Sequence, residues 1–180
     1  SGGEDVGFGV VVTLPAEGEQ GHKYVTGYTR SGSSTDVLLL KYTLGAIPPW
    51  NSSTCDSGGE DRGWEMAVDR DGNIYVTGAA SNNLLLLKYD RYMNLLWNKT
   101  RDFGCSDSGK SVGVDDYGNV YVAGSTSTGL NPGNVLLVKF SPWVSKTAVF
   151  TVKDGYAFTV TITSNSTITN FNFNESLKQI

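Results

Sequence analysis

The chain repeats itself, and that period limits the folds open to it more than any single motif does. Ser57 to Trp64 (SGGEDRGW) matches Ser1 to Phe8 (SGGEDVGF). The stretch GWEMAVDRDGNIYVTG from Gly63 matches GKSVGVDDYGNVYVAG from Gly109. Further on, LLLLKYD from Leu84 to Asp90 matches VLLVKF from Val135 to Phe140 and VLLLKY from Val37 to Tyr42. Trp50 and Trp97 each follow the matching Lys by nine residues. The first copy departs from the pattern: Leu14 to Lys23 (LPAEGEQGHK) replaces the compact D-x-x-G-N turn, and Ile47-Pro48-Pro49 interrupts its last segment.

Each copy spans about 46 to 56 residues and contains four short segments with strand chemistry, the size of one propeller blade. Gly is abundant, at 22 of 180 residues, and no stretch of ten carries a helical apolar period, so the expected class is all-β. In the second copy the strands are expected at roughly 64–69, 73–79, 84–90 and 94–100. Asp69 to Asn73 (DRDGN) makes the first hairpin turn, with Gly72 supplying a positive φ and Asp69 capping through its side chain. The Leu-rich third strand is apolar on both faces, as a strand stacked between two neighbouring blades should be. Trp97, on the outer strand, would cover the blade edge.

The order GWEMAVDRDGNIYVTG, then LLLLKYD, then NLLW resembles the seven-bladed β-propeller repeat known as SBBP, and more distantly NHL repeats. The resemblance covers roughly residues 1–145 in three concordant copies, about 1–54, 55–102 and 103–145. It implies four-stranded blades in secreted or cell-surface proteins of bacteria and archaea, and it carries no catalytic residues. From Lys146 the pattern changes. Ala148 to Lys153, Tyr156 to Thr163 and Ser166 to Asn174 alternate apolar and polar residues around turns at Asp154-Gly155 and Ser164-Asn165. Residues 146–180 therefore read as a β-meander tail, an incomplete immunoglobulin-like domain of the kind that follows repeats in archaeal surface proteins.

Charge and inventory narrow the chemistry. A net charge of −4, with no Lys/Arg run, argues against nucleic-acid binding. The longest aliphatic run, Leu84 to Leu87, falls far short of the ~20 apolar residues a membrane helix needs. His22 is the sole histidine and is expected as an exposed loop residue; without a second, no histidine triad or His-rich zinc site assembles. Asp69, Asp71 and Asn73 resemble the opening of a calcium loop, but Ala80 stands where the bidentate acid belongs, and the third copy has Tyr117 at the middle position. A turn held by Asp hydrogen bonds explains both copies, and neither metal nor cofactor is expected. Ser57-Gly58-Gly59 precedes a strand and the acidic Glu60-Asp61, which suits no phosphate.

Cys55 and Cys105, the only cysteines, lie in successive inter-blade loops, four residues out of register. They are either separate thiols or a disulfide between adjacent loops, which an oxidising compartment would permit. Glycosylation sequons occur at Asn51, Asn98, Asn165 and Asn174; Asn51 and Asn98 directly follow the matching Trp on the outermost strand, and Asn165 falls at a turn.

Three function classes fit this inventory. The first is an extracellular, non-catalytic structural or self-assembling protein, such as a surface coat, fibre subunit or adhesin stalk. Its partner is itself or further blades of a longer chain. The second is a module that binds a glycan or peptide through the propeller mouth or through Tyr28, Trp64 and Tyr92. The third is a carboxylate enzyme, a glycosidase or lyase, built on Glu4, Glu60 and Asp61; it ranks last because these acids recur as features of the repeat.

Overall fold

The computed structural model describes residues 3–14, 21–43, 51–104, 106–128, 131–142, 144–151 and 157–164. The chain divides into two compact units, Ser1–Phe140 and Ser141–Ile180. The first unit is all-β and holds three antiparallel meanders. Sheet 1 comprises β1 (Asp5–Val12), β2 (His22–Ser31), β3 (Ser34–Thr43) and β4 (Asn51–Cys55). Sheet 2 comprises β5 (Asp61–Val68), β6 (Ile74–Ala80), β7 (Asn83–Tyr89) and β8 (Leu95–Arg101). Sheet 3 comprises β9 (Ser106–Val114), β10 (Val120–Thr128) and β11 (Asn131–Phe140). Strands pair in chain order, and the first strands of successive sheets are neighbours, β1 beside β5 and β5 beside β9. This is the architecture of propeller-type blades, and sheet 2 agrees with its expected strands to within one to three residues at each end.

The local reason for the first hairpin recurs in two sheets. Asp69 Oδ1 accepts from the backbone N–H of Asp71 (3.0 Å) and Asn73 (2.8 Å), while Oδ2 accepts from Asn73 Nδ2 (2.8 Å) and Tyr75 Oη (3.1 Å). Asp115 repeats this set with Tyr117, Asn119 and Tyr121. Gly72 and Gly118 hold φ of 83° and 78°, the left-handed turn position that glycine occupies without penalty. The β7–β8 turn uses the same device, with Asp90 accepting from Tyr92 and Asn94. There Met93 takes the left-handed position at φ 70°, and its buried side chain offsets the cost. With the Asp69 and Asp115 oxygens occupied by donors, the turn explanation of these acids holds.

Each sheet has a leading face, turned to the sheet before it, and a trailing face, turned to the sheet after. Tyr24, Val37 and Leu39 on the trailing face of sheet 1 pack with Met66, Ile74, Val76, Leu85 and Leu87 on the leading face of sheet 2. Tyr75, Leu84 and Leu86 then pack with Val112, Val120 and Val122 of sheet 3. The two cores are therefore inter-sheet layers. This is why the third strand is apolar on both faces: Leu84 to Leu87 are all buried, alternately serving the two layers.

Sheet 3 departs from expectation, having three strands rather than four among the described residues. Ser141-Pro142 follows β11 where Asp90-Arg91 follows β7. In the second unit β12 (Val144–Thr151) pairs with β13 (Ala157–Ser164) in an antiparallel hairpin. The third tail strand expected at Ser166 to Asn174 lies outside the described residues.

Candidate functional site

A bulge at the same point in all three sheets builds the most unusual side-chain cluster. The β1–β2 register shifts between Gly7 and Gly9, the β5–β6 register between Gly63 and Glu65, and the β9–β10 register opposite Ala123/Gly124. The extra residue is Phe8 in sheet 1, Trp64 in sheet 2 and Lys110 in sheet 3. The facing residues Gly27, Gly78 and Gly124 are obligatory, because a Cβ on any of them would run into the carbonyl of Val6, Arg62 or Ser108.

Stacking the sheets turns the bulge residues into a ladder. The Phe8 and Trp64 rings are 4.5 Å apart, and Lys110 Nζ sits 3.9 Å from the Trp64 ring centroid. Tyr28 joins at 5.8 Å from Phe8, with the Arg62 guanidinium 5.3 Å from the Tyr28 ring. Burial first, and then the Arg62 charge, lower the Lys110 pKa from its ordinary value. Trp64 Nε1 is buried without an acceptor among the described residues, and Phe8 remains 46% exposed. Tyr28 and Trp64, two of the three aromatics singled out in the sequence, are thus brought together through Phe8. The signal for Phe8 was its place in the self-alignment, one column with Trp64 and Lys110. Tyr92 lies elsewhere, on the β7–β8 turn, beside a cavity of about 620 Å³ lined also by His22, Tyr24, Lys41, Asp69 and Arg91.

The second notable feature is the pair of end faces. Val10 and Val12 on the leading face of sheet 1 are 63% and 60% exposed, whereas Met66 and Val112, the counterparts of Val10, are buried. On the trailing face of sheet 3, Val135 and Leu137 are 92% and 71% exposed. Their counterparts Val37, Leu39, Leu84 and Leu86 are wholly buried.

The remaining candidates fall as follows. His22 opens β2 half-buried rather than lying in an exposed loop, because its backbone closes on Thr13 (Thr13 N–H to His22 O, 2.8 Å) and its ring meets Tyr24 edge-on. Asp61 is fully buried, and both its oxygens accept from Ser57; Asp107 accepts likewise from the Phe103 N–H. These acids therefore close inter-sheet loops. Glu4 and Glu60 pair with Arg30 and Arg62 in exposed ion pairs.

Cys55 carries a free, buried thiol, and Cys105, the other half of the candidate bridge, lies outside the described residues. Cys55 ends β4 opposite Val37, rather than lying in a loop, and packs inward with Met66 and Leu85. Burial, followed by the charges of Asp61, Asp56 and Asp36, pushes its pKa up and disfavours the reactive thiolate. Asn51 and Asn98 are exposed on the edge strands β4 and β8, and Asn165 and Asn174 lie outside the described residues. Trp97 is partly buried over Tyr75, with ring centroids 6.2 Å apart, at the edge of the second core.

The family described as Beta-propeller repeat, SBBP, matches the chain at residues 56–85 and 105–131. These two segments run from the inter-sheet loop through the first hairpin of sheets 2 and 3. No curated protein matches the chain.

Proposed function

We propose that the chain is an extracellular, non-catalytic structural module that works by stacking blades of its own repeat through its two end faces. One observation carries this reading. The side chains exposed at the ends, Val10, Val135 and Leu137, occupy the positions buried at both internal junctions, where the partner is always another sheet of the repeat. Contiguous apolar surface of this kind marks an interaction site. The extracellular assignment is supported by Asn51 and Asn98, glycan acceptors on exposed edge strands that no neighbouring sheet obstructs. Sedimentation velocity at micromolar concentrations tests the reading: the chain should self-associate, and Val10→Glu should abolish it. Concentration-independent monomer in the unmodified protein would sink it.

A second reading, binding of a glycan or peptide, is favoured by the Phe8–Tyr28–Trp64 cluster with its half-exposed ring and unpaired indole N–H. Aromatic platforms beside polar donors suit a sugar face.

A further inference from the structure

We infer that the ladder of bulge residues binds an acidic sugar, its rings taking the apolar face of a pyranose and Arg62 and Lys110 taking the carboxylate. This rests on the second reading above, that the aromatic cluster binds a glycan, and it names the class of glycan.

Three observations carry it. The first is the balance of donors and acceptors. Besides the Tyr28 hydroxyl, the polar side-chain groups of the cluster are the Trp64 indole N–H, the Arg62 guanidinium and the Lys110 ammonium. Each of these three donates hydrogen bonds and accepts none. Trp64 Nε1 and Arg62 Nε find no acceptor among the described residues. The hydroxyls of a neutral sugar need acceptors as well as donors, whereas a carboxylate only accepts. A uronate therefore supplies what the cluster lacks. The C–H face of its ring suits the negative face of an aromatic side chain.

The second is charge. Arg62 and Lys110 lie near enough together that the Arg62 charge adds to burial in lowering the Lys110 pKa. Arg62 pairs with Glu60 at 3.3 Å, but that carboxylate side chain is 66% exposed, and such a pair is weak. Glu65, the next acid along β5, accepts instead from the Met66 N–H. In a chain of net charge −4, the ladder thus gathers two cations.

The third is access. β1, β5 and β9 each stand at one end of the pairing order of their sheet, whereas successive sheets stack through their faces. The ladder crosses these three strands, and its contacts to Trp64 and Arg62 are made across internal junctions. Trp64 has a sheet on either side and is still partly exposed. The row stays open where blades are stacked, and a further blade leaves it in place.

The experiment is isothermal titration calorimetry on the 180-residue chain. The probes are trigalacturonate, the same trimer with its carboxyls reduced to alcohols, and triglutamate. The uronate trimer should bind about tenfold or more tightly than either of the others, the scale of a charged hydrogen bond. Lys110 is exposed, so Lys110→Gln spares the fold and should weaken uronate binding roughly two- to fivefold, as loss of an exposed ion pair does. Arg62→Gln removes a fork that grips a carboxylate with two N–H groups and should weaken it about tenfold. Circular dichroism checks both folds, and binding of the reduced trimer should be unchanged in both. Equal affinity for the two trimers, or a preference that survives Lys110→Gln and Arg62→Gln, would overturn the acidic specificity and leave the glycan reading standing. Triglutamate bound as tightly as the uronate would overturn the sugar and assign the cluster to acidic peptides. Binding of neither trimer would overturn the glycan reading as well.

Discussion

The trailing faces of sheets 2 and 3 are built from matching, mostly apolar positions and differ sharply in exposure. Tyr75, Thr77, Leu84 and Leu86 of sheet 2 are at most 3% exposed, whereas Tyr121, Ala123, Val135 and Leu137 at the matching positions of sheet 3 are all exposed. Even the cross-strand pair Lys88–Tyr75 recurs as Lys139–Tyr121, with the ammonium 5.0 and 5.5 Å from the ring centroid. Sheet 2's trailing face is packed against Val112, Val120 and Val122 of sheet 3, and that contact accounts for its burial. A strand of this repeat thus specifies its own pairing and turn, while its stability contribution is decided by the neighbour it meets.

The sharpest way to break this comparison is to truncate both faces. In the monomeric Val10→Glu background, Leu86→Ala should cost about 2–5 kcal/mol, because it opens a cavity in a closed layer. Leu137→Ala should stay within roughly 0.5 kcal/mol, as a surface change does. Urea denaturation measures both. Equal costs would mean that the trailing face of sheet 3 is covered within one chain.

The glycines give a smaller effect in the same direction. Gly109→Ala should destabilise the chain by about 1–3 kcal/mol, since the new methyl is forced against Thr77. Gly7→Ala meets only the flexible Val25 side chain and should cost less in the monomer. Thermal unfolding reports both effects. Equal costs would show Gly7 to be as crowded as Gly109.

The smallest effect concerns the turns, which should not distinguish end from interior. Hydrogen bonding from the Asn119 side chain leads the causes that lower the Asp115 pKa, against an opposing burial effect; at Asp90 burial pushes the pKa up, but hydrogen bonds from Asn94 and Tyr92, with the Lys41 charge, together bring it below the ordinary value. A carboxyl depressed in the folded state stabilises fully above its unfolded value, about 3.9. It loses that contribution as pH falls through the lower folded value. Side-chain NMR titration should therefore find both groups below the ordinary Asp range, with Asn119→Ala returning Asp115 towards it. An ordinary titration in the native chain would show the turn hydrogen bonds to be absent in solution.

Much of this was open to a reading of the residues alone. The DRDGN and DDYGN turns carry their own acceptor and left-handed glycine, so the hairpins of sheets 2 and 3 are set by five-residue chemistry. What escaped such a reading depends on the third dimension. Tyr28 and Trp64 are 36 positions apart and meet only because a bulge places Phe8 between them. Tyr92 looked equivalent in kind, yet its turn carries it away from that cluster. Sheet 3 has three strands among the described residues, where the four-segment repeat led to an expectation of four.

By itself, then, the sequence determined the repeat, the all-β class, the turn positions and the apolar strands, because these rest on periodicity and contacts a few residues apart. Only the tertiary structure decided which apolar residues are core and which are surface. Val10 and Met66, or Leu86 and Leu137, are interchangeable along the chain, and burial is conferred by the sheet stacked against them. The same stacking buried Cys55 inside the first layer and drew Phe8, Trp64 and Lys110 into one line. Hydrophobic burial is non-directional and non-local, so a pattern can prepare a surface for a partner without naming which surface receives one.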